Sequence, residues 1–217
     1  STQSSTLFPY TTLFRSHQTG ADFAPPPPPH LPPAGPSLVQ IFPSGPQSSS
    51  RHIEQLLLAA IYSARHEIVL TTPYFIPSEA LLTALRSAAM RGVRVVLIVP
   101  ARVDSMLVRY AGNAYFNDLL AGGVEVLCFG DGLLHTKSMV VDGEVTIFGT
   151  VNLDLRSFEL NFEVSLIAYD VAFSAATREL QARYAARSTP LDPAQWLARP
   201  WWRRTMENAV QMMSPLL

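Results

Sequence analysis

Residues 135–150 read HTKSMVVDGEVTIFGT, from His135 through Asp142 to Thr150. Two apolar, β-branched runs flank Asp142-Gly143, a dipeptide that signals a tight two-residue hairpin. Strand side chains alternate between faces, so His135 and Lys137 point the same way. Asp142 falls on the opposite face by the same count. It reads as a structural partner that opens the turn, not as the proton acceptor for His135. An imidazole beside a cation suits a phosphate. The histidine can attack phosphorus or pass a proton to a leaving oxygen near neutral pH. The lysine ammonium can neutralise non-bridging oxygens and the charge that grows in the transition state.

Upstream of this pair of runs, strands alternate with helices. Residues 39–44 form a short strand. Residues 53–64 carry apolar side chains at helical spacing, and 67–72 read as a buried strand. Ser78 suits the N-cap of a helix that runs from Glu79 to near Gly92. Residues 93–100, VRVVLIVP, form the continuous β-branched run of a strand covered on both faces. A helix around 107–120 and a strand at 124–129 repeat the unit. Downstream come a strand at 162–170, a helix over 172–187, and a tail of further helical turns bearing Trp196, Trp201 and Trp202. The expectation is one α/β layered domain over 38–217, a mixed, largely parallel β-sheet flanked by helices.

Residues 1–37 are Pro-rich and lack a burial pattern, so they are expected to be a disordered leader. Residues 7–16, LFPYTTLFRS, look like the translation of a common DNA-sequencing adapter. On that reading the leader is an assembly artefact and the genuine upstream protein is missing.

The chain has 217 residues, 48% of them apolar, with a formal net charge of −1. That balance argues against non-specific nucleic-acid binding, which leans on a basic surface. Lys137 is the only lysine, so no second H-x-K pair exists. The single cysteine, Cys128, excludes an internal disulfide and is expected in the core as a small hydrophobe. No apolar run reaches the roughly 18–20 residues that cross a bilayer. No cluster of His, Cys and Asp has metal-ligand spacing, and no metal or cofactor is expected.

Three residues after the hairpin extend the phosphate cradle. Gly149 would let the backbone approach a ligand, while Thr150 and Asn152 offer a hydroxyl and a carboxamide. An imidazole in catalysis needs a carboxylate or carbonyl to hold its tautomer. Glu163 is the first candidate and Asp154 the second.

The string HTKSMVVDGEVTIFGTVNLDLRSFELNFE resembles the phospholipase D superfamily motif H-x-K-x4-D-x6-G-S-x-N. Its extension is similar to bacterial cardiolipin synthases, as are TTPYFIPSEALLTALRSAAMRGVRVVLIVP upstream and RPWWRR and MSPLL downstream. Thr150 stands where the pattern has serine, and the hydroxyl is kept. The likeness covers roughly 38–217, the second half of the family's two-repeat catalytic region. It implies a phospholipase D-like fold, one repeat of the usual two, with catalytic His135, Lys137 and Asp142 and substrate-binding Thr150, Asn152 and Glu163. The implied reaction joins two phosphatidylglycerol molecules into cardiolipin and glycerol through a phosphohistidine, without a metal. His135 corresponds to the second motif, usually assigned the acid/base role. The implied location is the bacterial inner membrane, with peripheral contact.

A single motif needs a partner: a missing N-terminal half, lost in a truncated gene, or a second copy in a homodimer. The alternative function is a homodimeric phosphodiesterase, a phospholipase D or a metal-independent nuclease. Half a site could also fold and stay inert. Outside the motif several readings stay open. Trp201-Trp202 sit at a lipid headgroup boundary or pack in the core. Arg156 reaches a phosphate or pairs with Asp154 or Glu159. Tyr74-Phe75 line an entrance or belong to the core. His52 and His66 are expected as exposed helix residues.

Overall fold

The computed structural model describes residues 35, 37–46, 52–103 and 105–211. Residues 1–34 of the leader, His17 and His30 within it, and the terminal MSPLL lie outside the described residues. The chain enters through β1 (Leu38–Ser44), α1 (His52–Ser63), β2 (Glu67–Thr71) and β3 (Phe75–Ile76). Next come α2 (Glu79–Met90), β4 (Arg94–Pro100), α3 (Met106–Ala121) and β5 (Glu125–Phe129). The hairpin is β6 (Ser138–Val141) and β7 (Val145–Gly149), followed by β8 (Leu153–Asp154) and α4 (Leu155–Glu159). β9 (Glu163–Tyr169), α5 (Val171–Ala186), β10 (Ser188–Pro190), α6 (Pro193–Leu197) and α7 (Trp201–Gln211) complete it.

Local chemistry explains several of these boundaries. Ser78 caps α2 by accepting from the Leu81 amide at 3.1 Å, and its own hydroxyl donates to the buried Glu54 carboxylate of α1. Asp170 caps α5 through the Phe173 amide. At the hairpin, Asp142 (φ 51°) and Gly143 (φ 69°) are both left-handed. Two positive φ angles at the central positions make a type I′ turn, whose twist matches that of the flanking strands.

Eight strands of the described residues form one sheet in the order β1-β9-β7-β6-β2-β4-β5-β10. It is mixed but mostly antiparallel, which corrects the expectation of a largely parallel sheet. Within it, parallel pairing is confined to β2–β4 and β4–β5, which are connected through α2 and α3. β1–β9, β9–β7, β7–β6, β6–β2 and β5–β10 are antiparallel. The connections decide this: a tight turn such as that at 142–144 returns a strand antiparallel, whereas parallel neighbours need a helical crossover.

One face of the sheet packs on α1, α2 and α3 through Ile53, Ile61, Leu70, Leu85, Leu97 and Leu119, all at most 1% exposed. A second cluster of Val69, Ile98, Phe129 and Leu134 packs against Tyr184 of α5. β6 thus sits mid-sheet, and its start lies beside the carboxyl end of β2, with Ser138 opposite Thr71. The carboxyl ends of parallel strands are where open α/β sheets form ligand crevices.

Candidate active site

His135 and Lys137 lie in the extended segment leading into β6, which begins at Ser138. The strand is therefore shorter than the motif suggested. The Gly149 amide donates to the Lys137 carbonyl at 3.3 Å and ties this segment to β7. Lys137 Nζ lies 3.0 Å from His135 Nδ1, and it donates to the His135 carbonyl oxygen, also at 3.0 Å. The same Nζ lies 3.4 Å from Nε2, so the ammonium stands beside both ring nitrogens and fixes neither tautomer. Tyr74 meets the imidazole edge-on, with centroids 6.4 Å apart and planes at 87°. A cavity of about 290 Å³ adjoins His135, walled by Pro73, Tyr74, Pro100, Val103 and Leu134.

Carboxylates surround the lysine. Burial lowers the Lys137 pKa below that of a free lysine, while the charges of Glu163 and Asp154 oppose the drop. Glu163, 8% exposed, accepts from Asn161 Nδ2 at 3.2 Å. Burial raises the Glu163 pKa against hydrogen bonds from Thr150 and Asn161 that lower it. Among the described residues neither Glu163 nor Asp154 hydrogen-bonds His135. In this geometry Glu163 acts on Lys137 through its charge.

The other candidates are built into the scaffold around this pair. The Thr150 hydroxyl accepts from the Val164 amide at 2.9 Å, and the Thr150 amide donates to the Val164 carbonyl at 3.0 Å. Asn152 donates to the Ser157 hydroxyl at 3.2 Å, and its Oδ1 is buried without a partner among the described residues. Asp154 caps α4 through the Ser157 amide at 2.6 Å. Asn152, Asp154, Arg156 and Tyr74 line a cleft of about 260 Å³. Gly149 needs correcting. A Cβ there would stand 2.2 Å from the Val164 carbonyl oxygen, so the glycine admits the neighbouring strand β9 and not a ligand.

Asp142 lies at the far end of β6 from the lysine. Four strand residues span roughly 13 Å. Its carboxylate accepts from the backbone amides of Arg65, His66 and Glu67 at 2.9, 2.8 and 2.8 Å. Partial burial pushes its pKa upward, yet those three donors together hold it below the ordinary carboxylate value. His66 is exposed as expected, but in the turn after α1 and not on a helix.

Further outcomes fall to single residues. Of Tyr74-Phe75, Phe75 is buried in the core while Tyr74 lines both the His135 cavity and the Asn152 cleft. Sequence alone left Tyr74 open between an entrance and the core. Its signal was its place between Pro73 and a strand end, where the chain turns toward the crevice. Trp201 and Trp202 are 77% and 48% exposed, which removes the core reading for both. Cys128 is half-buried, packs against the core, and lines a cavity of about 450 Å³. Among the described residues, no group of three or more His, Cys, Asp or Glu could hold a metal ion, and no helix is long and apolar enough to cross a membrane.

A histidine–lysine pair beside the carboxyl end of β2, in a mixed sheet flanked by helices, is the arrangement of a phospholipase D-like domain. The family described as "Cardiolipin synthase, PLD-like domain" matches residues 57–185, and the chain belongs to it. It is 50% identical over 179 residues to cardiolipin synthase A of Edwardsiella ictaluri, covering 82% of this chain and 37% of that protein. To cardiolipin synthase A of Pectobacterium carotovorum it is 46% identical over 205 residues, covering 92% and 42%. The chain thus spans about two fifths of the length of these curated relatives. Among solved structures, the phospholipase D family member Nuc from Salmonella typhimurium superposes with TM-score 0.61 at 22% identity, over 72% of this chain and 99% of that one. Phosphatidylserine synthase of Haemophilus influenzae Rd KW20 gives TM-score 0.67 at 18% identity, over 83% and 48%. These two speak for the fold.

Proposed function

We propose that this chain supplies half of a phosphatidyl-transfer site that joins two phosphatidylglycerol molecules into cardiolipin and glycerol. The observation that carries the reading is the 3.0 Å contact between Lys137 Nζ and His135 Nδ1 beside an open cavity, in a chain 50% identical to a cardiolipin synthase A over 179 residues. Entering as the imidazolium, His135 is the proton donor for a leaving glycerol oxygen. A second motif's imidazole attacks phosphorus, the P–O bond to glycerol breaks, and the departing oxygen takes the His135 proton. The phosphatidyl group is then held on that second imidazole. His135, now a base, accepts the hydroxyl proton of the next phosphatidylglycerol as its oxygen attacks phosphorus and frees the second histidine. Lys137 neutralises the non-bridging oxygens throughout. Thr150, Asn152 and Glu163 keep the cradle in register, and Asp142 contributes the fold of the turn. The site works at a membrane surface, where its substrate resides.

The second motif comes from an N-terminal half or from another copy. The sole lysine of this chain leaves a second reading in view, a homodimeric phosphodiesterase acting with water. Radiolabelled phosphatidylglycerol in mixed micelles separates the two. Cardiolipin as product, abolished by His135→Ala with an unchanged circular dichroism spectrum, supports transfer. Phosphatidic acid alone would replace it with the hydrolytic reading, and wild-type turnover in the variant would sink both.

A further inference from the structure

A cavity of about 450 Å³, larger than the one that adjoins His135, lies next to it. It lies between the ends of β4 and β5, the start of α3, and the two C-terminal helices. Val99, Val108, Phe116, Cys128, Leu191 and Trp196 are among its walls. An aromatic series runs along one side: Phe75 stacks on Phe116 at 6.4 Å, and Phe116 meets Trp196 at 5.8 Å. Arg109, Arg199, Arg203 and Glu207 also line it, and two of these four satisfy each other. Arg199 forks onto Glu207 at 2.8 and 3.0 Å while its guanidinium lies 3.4 Å over the Trp196 ring. Asn113 donates to the same Glu207 at 3.2 Å. An ion pair closed in this way makes little demand on a ligand, so the surface left to contact is chiefly hydrocarbon.

Position gives the cavity its meaning. Pro73, Tyr74, Pro100 and Val103 border both it and the His135 cavity. Tyr74 is the partition, with its ring edge-on to the imidazole. A molecule with a phosphate at His135 and Lys137 has this apolar space as its neighbour. The outer wall, α7, exposes Trp201, Trp202 and Met206 to solvent. Trp202 and Met206 are one helical turn apart, and Arg203 lies 5.3 Å over the Trp202 ring. Exposed tryptophan and arginine together are the side chains that settle at a lipid headgroup boundary.

We propose that this cavity seats one acyl chain of the phospholipid whose phosphate is held at His135 and Lys137, admitted from the membrane past α7. The proposal rests on the phosphatidyl-transfer reading, since that reading supplies the lipid. The mean separation of headgroup and chain is then fixed by Tyr74, and the site selects a diacyl substrate over a water-soluble glycerophosphodiester.

The 217-residue chain is incubated with vesicles containing phosphatidylglycerol that carries a photoactivatable diazirine near one acyl terminus. Adducts are mapped by mass spectrometry. The expected adducts fall on α3, Leu191 and Trp196, and Val108→Trp reduces them at least about tenfold, the loss of roughly two methylenes of contact. Adducts scattered over the surface, or an undiminished yield in a folded Val108→Trp, would overturn the proposal. If that variant does not fold by circular dichroism, the wild-type map decides alone. Adducts in the cavity, with no transfer even when a half carrying a second motif is supplied, would retire the transfer reading and keep the acyl site. Transfer with no adducts in the cavity would do the reverse.

Discussion

Lys137 holds its neighbour two residues upstream at both ends: its ammonium is 3.0 Å from the His135 ring nitrogen Nδ1 and 3.0 Å from the His135 carbonyl oxygen. One side chain therefore ties the imidazole to its own backbone carbonyl. A lysine so placed has a role beyond charge neutralisation. Lys137→Met removes both functions, and transfer activity is expected to fall by about 10²–10³, the usual cost of losing one preorganised electrostatic partner. Lys137→Arg keeps charge but not the compact reach, so partial activity is expected. Initial rates on phosphatidylglycerol with each variant give the comparison, and equal loss in both would mean that charge alone is irrelevant.

The Lys137 pKa is lowered by burial and supported by Glu163 and Asp154. Because the cation is the working form, activity should fade on the alkaline side at a pH below that of an exposed lysine. Removing the nearby negative charge with Glu163→Gln lowers the lysine pKa further, so the alkaline limb moves to still lower pH. A pH–rate profile of both proteins reads the direction. A limb displaced upward in Glu163→Gln would exclude the electrostatic link between the two.

Asp142 has a depressed pKa in the folded state, so its stabilising effect has a definite sign. The contribution is fully present above the unfolded carboxyl value of about 3.9 and is lost as pH falls through the lower folded value. Asp142→Ala should cost on the order of 1–2 kcal/mol at neutral pH after solvent screening of the three amide contacts. Asp142→Asn should cost less, because asparagine tolerates left-handed φ and still accepts. Urea midpoints at pH 7 and at pH 3 test this: the gap between wild type and Asp142→Ala narrows in acid.

Gly149→Ala separates two uses of a glycine. The added Cβ would meet the Val164 carbonyl at 2.2 Å and the Ser165 Cα at 2.8 Å. Both atoms are backbone and cannot swing aside, so the pairing of β7 with β9 must open. A loss of about 1–3 kcal/mol or more is expected in chemical denaturation. Unchanged stability with weakened lipid binding would restore the ligand-approach reading instead.

Much of this molecule was legible where the information is local. Asp142-Gly143 announced its turn, Ser78 its cap, and the spacing of His135 and Lys137 their shared side. What was not legible depends on residues far apart in sequence. Strand direction depends on which strand lies alongside, and nothing within 162–170 tells that β9 pairs antiparallel with both β1 and β7. Gly149 looked free because Val164 is fifteen positions away. Trp201 and Trp202 stayed open between the core and a lipid boundary, because which face of their helix turns inward depends on Glu207 meeting Arg199. Tyr74 took its meaning from an imidazole that arrives sixty-one residues later.

The two ends of β6 also differ in how their loss could be repaired. Asp142 reaches three amides of the turn before β2 and contributes only to whether the sheet assembles there. A defect of that kind is a shortage of stability, and unrelated stabilising substitutions elsewhere can make it good. His135 has no such substitute. In a genetic selection for restored activity, second-site suppressors should be common for Asp142→Ala and absent for His135→Ala, so heredity itself would sort the letters of one motif into scaffold and chemistry.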